Sequence, residues 1–445
     1  MNGWTVAARS ITHRVRSMIA TALAILGTTL VIGCFAGLAA TGLRDGVPDE
    51  SRELLLIMGL VMGAWGAILG LFALTSTFSL AVRRRGEEVH RLRSIGATPA
   101  QVRGLIRREA FMVGLGAALV GGMLAGPLGR AVLRLMRDGG IIAPHVGYAG
   151  GGFALGVTVV VIPTLSAAAA HLAAWRLTTG TVRSVRAESL APPGISRWRV
   201  LAGVVLVTSG LGASAITLSI TRHSNDPYAA MATSGNAGLL VAVGLTAFAP
   251  RILIVMGRRL SPAAHRLGSA GQLAVHTLTR RGAVLGPVFG AAVTFAAATV
   301  GVLMMTGIDR RTFVLPPGES QATTDTINLL NGTILVLIAG FCLLVLINVL
   351  LAVIDERRPE YLRLGIIGAT RNQICSTVAY ETVTVTIAGG LLGVFASSAT
   401  VVPFSVARQE GVVPDAQLWL APLVVVGLGI VTTAVGVLAT RREIS

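Results

Sequence analysis

Two stretches of this 445-residue chain hold the residues best spaced to do chemistry, and both follow one pattern. The first, 83–109, reads RRRGEEVHRLRSIGATPAQVRGLIRRE, and the second, 355–381, reads DERRPEYLRLGIIGATRNQICSTVAYE. They align without a gap at an offset of 272 residues, and 10 of the 27 positions are identical. Arg85/Arg357, Glu88/Glu360, Arg91/Arg363, Leu92/Leu364, Gln101/Gln373 and Glu109/Glu381 match, as does Ile-Gly-Ala-Thr at 95–98 and 367–370. On a short helix this spacing gives alternating charges beside an apolar ridge. Gly96 and Gly368 can end that helix in a left-handed turn, after which Thr98 and Thr370 cap the next. The chemistry is ion pairing and docking. A plain basic loop anchoring two helices is the competing reading, and duplication of both charge signs and of the turn weakens it.

Catalytic chemistry has no comparable foothold. No Ser/His/Asp set, no pair of intramembrane acids and no metal-ligand spacing appears, so neither a catalytic residue nor a metal site is assigned. Cys34, Cys342 and Cys375 lack paired spacing and read as packed apolar thiols. All 37 basic residues are Arg, and there is no Lys. A Walker A loop needs a Lys to reach nucleotide phosphates, so this chain holds no standard P-loop ATPase and is expected to bind no cofactor.

The elements that must position the two stretches are membrane helices. Charged residues make up only 13% of the chain and its mean hydropathy is +0.75, whereas a soluble protein carries about 25% charged residues. Ten apolar runs reach the length of a spanning helix: 18–43, 54–82, 110–129, 149–170, 200–221, 231–250, 283–308, 327–354, 382–407 and 416–440. The sixth is the weakest, with Arg251 at its end. The runs at 54–82 and 327–354 are 29 and 28 residues long, about 42 Å as helix against a hydrocarbon core of about 30 Å. They must tilt or project beyond the bilayer. Pro163 and Pro287 are expected to kink their spans.

With the N-terminus in the cytoplasm, the inner segments hold 28 Arg against 9 acids, and the outer segments 9 Arg against 11. That asymmetry matches retention of Arg on the cytoplasmic side, so the net charge of +17 does not imply nucleic acid. Arg130, Arg134 and Arg137 break the rule on the outer side. They share a helical face away from Leu133 and Met136, as in an interfacial helix with snorkelling Arg or a contact for an anionic lipid or substrate. The first helix is too long for a signal peptide and reads as retained.

The 272-residue offset divides the chain into 1–177, a linker with two central spans at 178–282, and 283–445. The expected fold is all-α and integral to the membrane, with ten transmembrane helices as two parallel four-helix repeats. Helices five and six link the repeats, both termini are cytoplasmic, and the outer segments are very small. A weaker echo precedes helices one and seven: Ala7, Ile11 and Arg14 against Ala274, Leu278 and Arg281. Asn348 lies inside an apolar run and suits a helix–helix hydrogen bond. Glu109 and Glu381 sit at the membrane interface, where pairing with nearby Arg is expected.

At these residues the chain resembles the FtsX-like permeases, membrane subunits of MacB/LolC/BceB-type ABC transporters. Arg85, Glu88, Leu92, Arg93, Gly96, Ala97, Thr98 and Glu109 fit the family pattern in the first half. Arg357, Glu360, Leu364, Gly368, Ala369, Thr370 and Glu381 fit it in the second, where Gly365 replaces an Arg. Asn348 resembles the family's polar position near the end of the long helix. The resemblance implies a permease that hydrolyses nothing itself and sits in a prokaryotic cytoplasmic membrane among its lipids. A separate ABC ATPase, expected as a dimer and using ATP and Mg, would dock beneath the two loops. The function implied is export or extraction of a hydrophobic or amphiphilic compound, such as an antimicrobial peptide or antibiotic. The alternative is mechanotransmission to a sensor kinase or cell-wall enzyme without cargo. Many members carry a large extracytoplasmic domain, but here Arg44–Glu53 and Asp309–Thr326 are all that stands in its place. Neither segment is long enough to fold alone.

Overall fold

The computed structural model describes residues 15–84, 86–178, 197–224, 229–264, 268–312 and 321–444, with single positions 5 and 266. Regular structure among them is helical throughout, without a strand. Ten of the described helices are long and apolar enough to cross a membrane, one for each apolar run. The chain divides into two compact units, Met1–Ala187 with Phe313–Phe341, and Glu188–Thr312 with Cys342–Ser445.

The first unit is built from α1 (Val15–Gly42), α2 (Asp49–Arg84), the short α3 (Gly86–Ser94), α4 (Pro99–Asp138) and α5 (Gly151–Thr178). Between apolar helices in a bilayer there is no hydrophobic drive to associate, so close packing of small residues must hold them. A Cβ at Gly59 of α2 would lie 2.9 Å from the Phe35 carbonyl of α1. The hydroxyls of Thr28 and Thr29 donate back to Ala24 and Ile25 at 2.8 and 2.7 Å, which satisfies both hydroxyls within α1. At one end of the bundle Phe78, Val82, Val102 and Ile106 form an apolar base together with Val89 of α3.

The second unit contains α6 (Arg197–Ser219), α7 (Ala229–Gly235), α8 (Ala237–Thr246), α9 (Ala249–Ala264) and α10 (Gly268–Thr312). After these come α11 (Gln321–Glu356), whose residues from Cys342 belong here, α12 (Arg358–Ile366), α13 (Arg371–Ala407) and α14 (Leu420–Ile444). Helices α10 and α13 approach until backbones touch: a Cβ at Gly393 would lie 2.5 Å from the Val293 carbonyl oxygen. Their far ends are clasped by Arg408–Asp309 at 2.6 Å and by Arg311, which holds both oxygens of Glu410 at 3.0 Å. Ser214 of α6 donates to the Ala399 carbonyl at 2.6 Å, and the Gly238 amide of α8 donates to Thr400 at 2.9 Å.

Arg251 falls on α9, beyond the sixth span, and is exposed with Arg258 and Arg259 while Leu253 and Gly257 are buried. Both prolines lie inside continuous helix, Pro163 in α5 and Pro287 in α10, and the non-helical residue of α10 is Arg281 (φ −125°, ψ 27°). The departure comes six residues before Pro287, at the side chain that reaches across to α12. Cys34, Cys342 and Cys375 are free and buried.

Candidate coupling turns

The two repeated stretches adopt one local geometry. Helices α3 and α12 each have 9 residues and each end at a glycine with positive φ, +99° at Gly96 and +102° at Gly368. In the first turn the Gly96 amide donates to the Arg93 carbonyl at 3.1 Å and the Ala97 amide to Leu92 at 2.9 Å. In the second, Gly368 donates to Gly365 at 3.1 Å and Ala369 to Leu364 at 2.9 Å. This pair of bonds is the Schellman motif, which needs the left-handed residue that only glycine adopts without cost. Two residues later the chain starts a new helix under a full capping box. Thr98 accepts from the Gln101 amide at 3.3 Å, and the Gln101 side chain accepts from the Thr98 amide at 2.9 Å. Thr370 and Gln373 repeat this at 3.3 and 2.8 Å. The result is a rigid helix–turn–helix corner.

What each corner presents was not legible as a site. Ile95 is 80% exposed, and Ile366 and Ile367 are 84% and 83% exposed. The signal lay in the matched Ile-Gly-Ala-Thr runs, but an isoleucine in a sequence reads as core until burial is known. Leu92 packs toward the apolar base of the first unit together with Ala97, and Leu364 is half-buried.

In the second unit the charged residues converge. Arg357 sits between α11 and α12, buried, and both of its terminal nitrogens donate to the carboxylate of Glu381 on α13, which is also buried. Its Nε donates to Glu360 at 3.3 Å, and Glu360 also accepts from Arg281 of α10 at 2.6 Å. The guanidinium carbon lies 5.3 Å from the Tyr361 ring centroid. Burial opposes the Arg357 charge, but the neighbouring Glu381, Tyr361 and Glu360 outweigh it and the pKa is raised. Burial pushes the Tyr361 phenol up, Arg357 opposes, and the two carboxylates add. At the first residues of α12 and α13, Arg358 pairs with Glu443 of α14 at 3.1 Å, and Arg371 donates to the Arg441 carbonyl at 2.6 Å.

Of the predicted residues, Arg357, Glu360 and Glu381 therefore form one network, completed by Arg281. Sequence had marked Arg281 only through its echo of Arg14. Arg363 is exposed and stands apart from it. Asn348 is buried in α11, nine residues before Arg357. In the first unit Glu88 is half-buried on α3 and Glu109 is buried on α4. Arg85 lies outside the described residues, as does the side chain of Arg91.

The model of the FtsX-like permease C-terminal domain matches residues 56–182 and again 332–444, more than half of the chain. The chain belongs to the FtsX-like permease family. No curated protein matches it. Each match covers three long helices and one of the two turns, α2–α5 in the first and α11–α14 in the second. FtsX-like permeases are transmembrane subunits, generally not catalytic themselves, that typically work with an ABC ATPase. This member is a multi-pass membrane protein.

Proposed function

We propose that this FtsX-like permease couples ATP hydrolysis by a separate ABC ATPase to export or extraction of a hydrophobic or amphiphilic compound. The observation that carries the reading is the pair of matched corners, each rigid and each exposing isoleucine at its tip. A large apolar side chain on a charged turn is costly to leave in water, and it becomes favourable once seated in a partner's groove. Family membership supports the ATPase as that partner, and the missing lysine supports a motor on another polypeptide that uses the ATP and Mg. In this reading the corners and both termini face the cytoplasm of a prokaryotic cell. The two matched segments belong to parallel four-helix repeats, 1–177 and 283–445, joined by 178–282. One ATPase of a dimer docks under each corner.

The short outer segments at 44–53 and 309–326 favour a substrate handled within or beside the bilayer over one captured in an outer domain. The first test is whether the adjacent reading frame encodes a lone ABC ATPase, or also a sensor kinase; that ATPase is then co-expressed with the permease. Ile95→Ser combined with Ile366→Ser and Ile367→Ser should leave thermal stability unchanged, because these side chains contact little. The same variant should weaken co-purification and stimulated ATP hydrolysis about tenfold or more. Unchanged ATPase binding sinks the docking assignment. Resistance assays with the pair deleted then separate cargo export from signalling to a sensor kinase.

A further inference from the structure

The docking corners leave the opposite end of the first unit unexplained, where the arginine rule is broken. Helix α4 runs without interruption from the first corner to Asp138. Gly116, Val120, Met123, Pro127, Arg130 and Arg134 are all exposed on it, at spacings of three and four that place them on one face. Ala118, Ala125, Val132, Leu133 and Met136 are buried on the other. The exposed stripe is therefore apolar along one part and cationic along the next.

The two parts match one leaflet of a bilayer. From Gly116 to Pro127 the helix rises about 16 Å, against about 15 Å for half of a hydrocarbon core. From Arg130 to Arg137 it rises about 10 Å, close to the thickness of a headgroup layer plus the reach of an arginine side chain. Arg137 has Asp138 at 4.0 Å. Among the described residues neither Arg130 nor Arg134 has an ion-pair partner. Arg52 of α2 is paired with Asp49 of the same helix at 3.2 Å. Tyr148 wedges beside Gly129 and Gly37 and holds this turn of α4 against α1, so the arginine face is fixed in direction.

We propose that this face binds an acidic phospholipid, its phosphate held by Arg130, Arg134 and Arg137 and an acyl chain lying along Val120 and Met123. Charge complementarity selects the acidic headgroup, and the apolar stripe continuous with it selects a lipid over a soluble anion. An annular lipid held here offsets the cost of keeping three arginines on the face of the membrane that loses them by rule.

The test titrates the full-length permease in detergent with phosphatidylglycerol or with phosphatidylcholine of the same chains, and reads bound lipid by native mass spectrometry. Wild type should hold phosphatidylglycerol about tenfold or more tightly than Arg130→Gln/Arg134→Gln/Arg137→Gln, whereas phosphatidylcholine should not distinguish them. The Lys triple variant should retain most of the affinity. If the triple Gln variant is unstable, Arg130→Gln/Arg134→Gln carries the test, because both side chains are exposed. Equal phosphatidylglycerol affinity in wild type and Gln variant overturns the proposal. Glycerol phosphate binding as tightly as the whole lipid overturns the acyl-chain half of it.

Discussion

Removing one member of the Arg357–Glu381 pair should cost far more than removing both. Arg357 gives two bonds to Glu381 and one to Glu360, with all of these partners inside the second unit. Glu381→Leu leaves a buried guanidinium that still has Glu360, so its cost belongs near the lower end of the 3–5 kcal/mol typical of a broken buried pair, about 3 kcal/mol. Arg357→Met leaves the buried Glu381 carboxylate with no cation in the described network, and about 5 kcal/mol is expected. The double variant Arg357→Met/Glu381→Leu replaces ions by apolar groups of similar size and should come within about 1 kcal/mol of wild type. Arg281→Gln removes a half-exposed partner and should cost at most about 1 kcal/mol. Reversible unfolding in mixed detergent, followed by circular dichroism, measures all four. A loss of 3 kcal/mol is about a hundredfold in the folded-to-unfolded ratio, well outside the error of such titrations. Two single variants each within 1 kcal/mol of wild type, or a double variant equal to their sum, would refute the reasoning.

Two further outcomes follow from backbone geometry. Gly368→Ala forces a Cβ into the left-handed region at φ +102° and should destabilise that corner by about 1–2 kcal/mol; hydrogen exchange should then quicken at the amides of Gly368 and Ala369, while Gly365→Ala, in ordinary helix, should not do this. Gly393→Leu drives a side chain into the Val293 carbonyl and should cost about 3 kcal/mol or abolish monodisperse purification, whereas Gly427→Leu, which has open space around it, should be neutral.

Much of the fold was visible because membrane helices are written in one dimension. An apolar run of sufficient length and an arginine asymmetry need no tertiary knowledge, and all ten spans reappear. The corners were visible because glycine and the Thr-to-Gln capping pair act within five residues of each other. The Arg281–Glu360 contact bridges 79 residues, and nothing local marks an arginine that will turn inward at a bend. Sequence drew attention to Pro287 because proline is the local breaker, while the non-helical residue is Arg281, whose side chain pairs with Glu360. The outward isoleucines were hidden for the opposite reason: hydrophobicity alone places them inside.

The charged residues of the second corner were read from sequence as its docking surface, and their geometry argues for a different division of labour. Glu360 is already engaged by Arg281 and Arg357, so its charge is directed to the unit's own helices. What remains outward on α12 and at its end is the apolar set Leu362, Ile366 and Ile367, with Arg363 beside it. Arg357 and Arg358 then tie the start of α12 to α13 and α14, and Glu360 ties it to α10. A helix of 9 residues held to three others by ion pairs resists tilting alone, above all because the Arg357–Glu381 contact would have to lengthen and expose two buried charges. In the proposed function, force applied at Ile366 and Ile367 would pass through these pairs to α10, α13 and α14. The clasps at the far end, Asp309–Arg408 and Arg311–Glu410, join the same α10 to the end of α13 and the segment after it. In the proposed function the α10–α13 pair consequently moves as one lever, closed by ion pairs at both ends and packed glycine to backbone between them.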